Sequence, residues 1–232
     1  SRIRVAVTGG ELVSVTRPQL LAGANAAAVK NDAGGWEVIQ FESATLVGSG
    51  IYALSNLLRA QGGTELERRA PLPEGATFVL LAGISRVSLA PGEIGLPLFW
   101  RYGPANRDIA DRSYAGTTHA FTGRGLKPLS PVHVRGVRTG SDLALAWIRR
   151  TRLAGDSWDT AEVPLAEDVE RYEVDILDGG SVKRTIATTT TGCVYTAAEQ
   201  IDDFGSLQSA VEVAVHQMSA AYGRGTPKFA TV

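Results

Sequence analysis

A train of short period-two runs in the second half restricts this chain more than any other feature. Val132 to Val137, Leu143 to Ile148, Tyr172 to Leu177 and Val211 to Met218 alternate apolar and polar positions. That period puts successive side chains on opposite faces of a pleated strand, whereas a helix needs an apolar residue every three to four positions. Between the runs stand Gly140-Ser141-Asp142, Asp178-Gly179-Gly180-Ser181 and Tyr222-Gly223-Arg224-Gly225-Thr226-Pro227, the chemistry of tight turns. A Thr-rich run from Val182 to Thr189, a short one at Val194-Tyr195-Thr196 and a closing one at Phe229 to Val232 complete the series. About seven strands in roughly 100 residues is the pattern of an immunoglobulin-like sandwich. Leu143, Leu145 and Trp147 fall on one face, so Trp147 is expected in the core.

The first half is β-rich but less regular. Trp36 to Ala44 and Ile51 to Arg59, joined through Gly48-Ser49-Gly50, predict a hairpin. Leu20 to Val29 suits a helix by propensity, or a small-residue strand ending at the turn Lys30 to Gly35; the β-rich surroundings favour the strand. Glu65 to Arg69 has room for one helical turn before Pro71 and Pro73 stop it. Thr77 to Leu81 and Ile84 to Leu89 predict two strands around Ala82-Gly83. Leu96 to Tyr102 predicts another, with Pro97 at an edge or a strand start. Thr117 to Thr122 predicts one more.

Gly123-Arg124-Gly125-Leu126-Lys127-Pro128-Leu129-Ser130-Pro131 is a connector. The expected organisation is therefore all-β, with a sandwich or small barrel at 1–126 and a seven-stranded sandwich at 127–232. A length of 232 residues accommodates both.

Charge narrows the partners. Lys and Arg number 23 against 24 Asp and Glu, so no nucleic-acid partner is expected, since a polyanion needs a net basic face. No apolar stretch reaches the length of a membrane span. The start, Ser1-Arg2-Ile3-Arg4-Val5, has neither an initiator Met nor an apolar leader, so we expect a piece of a longer chain without a signal peptide. The single cysteine, Cys193, sits in an alternating run and reads as a small buried hydrophobe.

Candidate chemistry is sparse. His119, His133 and His216 lie on strand runs and are not spaced as metal ligands. Asp156, Asp159, Glu162, Glu167, Asp168 and Glu170 crowd a polar loop, but no pair stands out as the two facing carboxylates of a glycosidase. Asp202-Asp203 resembles half of a calcium loop without the residues that should follow. Gly123-Arg124-Gly125 and Gly223-Arg224-Gly225 lack the strand-to-helix setting of a phosphate loop and read as turns. We expect no catalysis, no cofactor and no metal. The region singled out for binding is a loop. Arg149, Arg150 and Arg152 could present guanidinium forks to an acidic partner or an anionic polysaccharide, or simply end a solvated strand. Trp158, between Asp156 and Asp159, could stack on a sugar, fold back over the core or meet a neighbouring subunit.

Two resemblances add to this. Residues 129 to 232, through Trp147, Tyr172-Glu173-Val174-Asp175-Ile176 and Tyr222 to Pro227, resemble a fibronectin type III domain. The Tyr expected early in the penultimate strand is replaced near Ala210 and Val211. Gly35-Trp36-Glu37-Val38-Ile39-Gln40-Phe41, Ala44-Thr45-Leu46-Val47 and Tyr52 to Glu65 are similar to a signature of phage tail proteins. The likeness is to the C-terminal part of the multidomain baseplate, or host-specificity, protein of gene transfer agents. Trp147 to Arg152, Gly155 to Trp158 and Glu162 to Leu165 fit the same pattern, while Asn56 and Ala60 stand where that family usually has Gly. The resemblance implies a virion component at a tail tip, made in the bacterial cytoplasm, with other tail and baseplate subunits as partners and a host-surface polysaccharide or receptor nearby. The alternative is a carbohydrate-binding accessory module to an upstream hydrolase domain.

Overall fold

A computed structural model describes residues 1–84, 87–155 and 162–232. The first sheet is built from β1 (Arg2–Ala6), β2 (Ala26–Lys30), β3 (Trp36–Gly48), β4 (Ile51–Gln61) and β5 (Phe78–Leu80). Its antiparallel order is β1-β4-β3-β2-β5. Alternation along these strands sends Val5, Ala27, Val29, Ile39, Phe41 and Leu54 to one buried face, which forms one apolar cluster. The β3–β4 hairpin turns at Ser49 and Gly50 as its sequence predicts, and both strands run longer than the apolar pattern alone shows.

Two expectations for this half are corrected. Residues 20–29 are neither all strand nor all helix. A short helix, α1 (Arg17–Leu21), is started by Thr16 and Gln19 in a reciprocal capping box with Pro18 in its first turn. The chain then reverses through Gly23 and Asn25, both at positive φ, into β2. Second, β5 does not pair with a strand at 84–89. It takes the free edge of β2, and Gly83 at φ 73° then turns the chain away. Ile84 and Val87 to Leu89 form no strand, and Ser85 and Arg86 lie outside the described residues.

Next comes a two-stranded hairpin of β6 (Pro97–Tyr102) and β7 (Ala115–Ala120), paired from Pro97–Ala120 to Tyr102–Ala115. Pro97 opens β6, where its missing N–H costs nothing. Every residue of β7 is exposed, as are Phe99 and Tyr102 on β6.

The remaining strands are β8 (Val132–Thr139), β9 (Asp142–Ile148), β10 (Tyr172–Asp178), β11 (Ser181–Thr188), β12 (Gly192–Tyr195), β13 (Glu212–Ser219), β14 (Gly223–Arg224) and β15 (Lys228–Thr231). One sheet runs β12-β9-β8. The other runs β11-β10-β13, with β14 and β15 both paired to β13. The sheets enclose a second apolar cluster of Leu143, Leu145, Trp147, Tyr172, Val174, Ile176, Tyr195 and Val213 among others. Trp147 packs edge-on against Tyr172 with ring centroids 5.2 Å apart. All-β sandwich architecture thus holds, with one element the alternation did not announce. Helix α2 (Ala197–Phe204) follows β12, capped by Thr196 and Glu199 and ended by Gly205 at φ 74°.

Candidate functional site

The three loop arginines follow the end of β9, and each is engaged by another part of the chain. Arg149 donates from Nη2 to the Val163 carbonyl at 2.8 Å and from Nη1 to Pro164 at 3.1 Å. Arg152 donates to Glu167 Oε1 at 3.1 Å and to the Ala166 carbonyl at 2.9 Å. Both therefore clasp the returning segment 163–167 across the loop. Arg150 reaches the other half of the chain, with Nη1 2.7 Å from Glu65 Oε1. These forks suit internal carbonyls and carboxylates as well as external anions. Glu170 is also engaged, accepting from the Tyr172 hydroxyl at 2.7 Å. Trp158, Asp156 and Asp159 lie outside the described residues.

Glu65 belongs to the N-terminal signature, whose polar residues form a compact lattice. Glu37 is fully buried and takes two bonds from Arg59, at 2.7 and 2.6 Å, and a third from the Ala60 N–H at 2.9 Å. Arg59 also donates to the Arg69 carbonyl. Thr64 Oγ1 accepts from the Val38 N–H and donates to the Gln61 carbonyl. Asn31 donates to Glu67, and Arg124 pairs with Glu67 from the connector. A Cβ at Gly35 would sit 1.8 Å from Glu67 Oε2, so a larger residue there would have to displace the Glu67 carboxylate from its place beside Asn31.

The remaining titratable groups are dispersed. On the outer face of β10, Asp175 accepts two bonds from Arg224 and one from Thr185, and His216 Nε2 lies 3.6 Å away. Burial alone would push the Asp175 carboxyl up, but the Arg224 and Thr185 bonds outweigh it and hold it below the usual range. Burial lowers His216, which keeps its ring neutral beside the Gly225 carbonyl. Asp203 sits on α2, not in a calcium loop, and binds Arg184 and the Tyr195 hydroxyl. His119 packs edge-on against Phe121, and His133 is on β8. Among the described residues no group of three or more His, Cys, Asp or Glu could hold a metal ion.

What the alternation patterns could not reveal are two surfaces. One is a pair of adjoining clefts of about 600 and 710 Å³ at the edges of the first sheet. The other is the exposed β6–β7 hairpin, with an apolar hollow at its base lined by Val87, Leu89, Ile94, Phe121 and Leu126. The isolated run of apolar residues at Leu98, Phe99, Trp100 and Tyr102 was the signal for the second.

Residues 1–79 match a family model described as Rcc01698-like, C-terminal. The matched stretch contains the Glu37–Glu67 lattice except for Arg124. No curated protein matches. Among solved structures the chain is similar to the crystal structure of the rat CD45 extracellular region, domains d3-d4. The two share 12% identity over 66% of this chain and 71% of that chain, with a TM-score of 0.33. So loose a likeness carries no argument about function.

Proposed function

We propose that this chain is a structural and adhesion module of a phage-like tail of the gene transfer agent type, serving tail-tip assembly and contact with the host surface. The observation that carries the reading is the family match over residues 1–79, whose name points toward gene transfer agents. The use of the signature residues agrees with it: Glu37, Arg59, Thr64 and Glu65 hold strands and halves together, as a scaffold requires. In this reading 1–126 is the tail-type domain, and 127–232 is a fibronectin type III-like domain. The chain has no catalytic role. The exposed hairpin offers apolar surface to other tail subunits.

The test is competition on cells. The purified chain, fluorescently labelled, should bind host cells saturably and reduce adsorption of the intact particles. Steady release of sugars from host capsular polysaccharide by the purified chain would remove the non-catalytic reading. Saturable binding on a glycan array that disappears in Trp158→Ala would favour the carbohydrate-binding accessory instead.

A further inference from the structure

The first sheet is open, with β1 and β5 as its two edge strands. Among the described residues β1 pairs only with β4 and β5 only with β2, so each presents an outer edge of N–H and C=O groups. Both edges nevertheless line the same channel. Arg4, Val5, Gly75, Ala76 and Phe78 border both the 600 Å³ and the 710 Å³ cleft, which therefore run into each other between β1 and β5. The inward row on either side is apolar. Ile3 and Val7 on one edge and Phe78 and Leu80 on the other pack on the core while remaining only half-buried.

The outward row differs between the edges. On β1 it is Arg2 and Arg4, both exposed, and neither side chain makes an ion pair or a hydrogen bond among the described residues. On β5 the corresponding position is the uncharged Val79, preceded just before the strand by Thr77. Arg59, which also lines the channel, is already neutralised by Glu37, and the acidic Glu11 and Glu74 lie on the adjoining loops, not on a strand edge. Charges on a sheet edge commonly serve only to keep other strands away. A guard of that kind does not require a half-buried apolar row beneath it or a second free edge across the gap.

We propose that this channel receives one extended strand of a partner protein, which adds to the edge of β1 and bridges toward β5. Strand addition takes its affinity from main-chain hydrogen bonds and its selectivity from alternate side chains. The inward residues of the incoming strand are apolar and complete the burial of Ile3 and Phe78. Its outward residues beside β1 are carboxylates, which neutralise Arg2 and Arg4. The inference stands on the sheet alone and does not depend on the tail reading.

The probe is an acetylated, amidated octapeptide alternating valine and glutamate, with a valine–lysine peptide and a proline-interrupted glutamate peptide as comparisons. Binding to the full chain is followed by fluorescence anisotropy, and its location by amide hydrogen exchange. The glutamate peptide should bind saturably and slow exchange at β1 and β5 by about tenfold or more, while its proline version binds at least about tenfold more weakly. The doubly reversed Arg2→Glu/Arg4→Glu chain should prefer the lysine peptide. Both positions are exposed, and unchanged exchange at Phe41 and Leu54 verifies that this variant folds. Protection elsewhere, equal binding of the proline peptide, no binding at all, or a preference indifferent to the charge reversal would each overturn the proposal.

Discussion

Arg59 holds the fully buried Glu37 with a two-pronged grip, Nε to Oε1 at 2.7 Å and Nη2 to Oε2 at 2.6 Å. The two come from adjacent strands, β3 and β4, and join the two most recognisable pieces of the N-terminal signature. A charge left alone at such a depth is costly. Arg59→Met should therefore destabilise the chain by about 3–5 kcal/mol, whereas the double change Glu37→Leu/Arg59→Met should recover much of that loss. Urea unfolding of the three proteins measures both effects. A double variant as unstable as Arg59→Met would show that the pair contributes more than mutual neutralisation.

The two departures from the signature lie where backbone geometry is least comfortable. Asn56 and Ala60 sit at φ 55° and 57°, in the left-handed region. Glycine reaches that region freely, asparagine tolerates it, and alanine is strained by about 1–2 kcal/mol. Ala60→Gly should raise the stability of the chain, by about 0.5–1 kcal/mol once the greater freedom of the unfolded glycine is subtracted. Asn56→Gly should give less. Thermal unfolding followed by circular dichroism checks the order.

These two positions also show what was legible in the sequence. The signature marks where the backbone must bend and where a buried pair must meet, so it can be recognised without knowing the fold. Alternation from Val132 to Met218 similarly exposes strands whose two faces have different fates. Helix α2 escaped because its eight residues fall between strands, although Thr196, Glu199 and Gly205 spell both its caps. The roles of Arg149, Arg150 and Arg152 could not be read, because a guanidinium that clamps a loop and one that awaits a ligand look alike in a sequence. Their partners, Val163, Glu65 and Glu167, are set by tertiary folding. The channel between β1 and β5 was hidden for the same reason, since it lies between strands about seventy residues apart.

Acidification should weaken the sandwich in two successive windows. His216 is held neutral by burial, so the unfolded chain binds more protons than the folded one once the pH falls below the ordinary histidine value of about 6.5. The stability is present above that pH and is lost as the pH falls toward the depressed folded value. Asp175, depressed by Arg224 and Thr185 against the effect of burial, adds a second loss below the ordinary carboxylate range. Urea midpoints at pH 7.5, 5.5 and 3 should fall in that order. His216→Gln should flatten the first decline and leave the second.

Cys193 should be almost inert in the folded chain. Burial, aided by the charge of Glu199, pushes its thiol up to about 11. At pH 8 only roughly one molecule in a thousand then carries the reactive thiolate, against about a quarter of unfolded chains with an ordinary thiol. Iodoacetamide labelling followed by mass spectrometry should therefore be at least about a hundredfold slower than in 6 M urea, and it should track unfolding as denaturant is added.

The contact between Arg150 and Glu65 is the polar link from the signature to the end of β9, and its geometry predicts a modest energy. The N–O distance is 2.7 Å, but Arg150 remains 38% exposed and Glu65 23% exposed. A pair so open to solvent is screened and should contribute about 0.5–1 kcal/mol in a double-mutant cycle of Arg150→Ala and Glu65→Ala. The coupling should shrink when salt is raised from 0.05 to about 1 M, because screening over about 3 Å then competes with the contact itself. The Arg59–Glu37 pair, with its carboxylate wholly buried, should lose little of its coupling over the same range. Equal salt sensitivity of the two cycles would mean that water reaches Glu37 as readily as Glu65. The difference in burial between the two pairs would then have no energetic consequence.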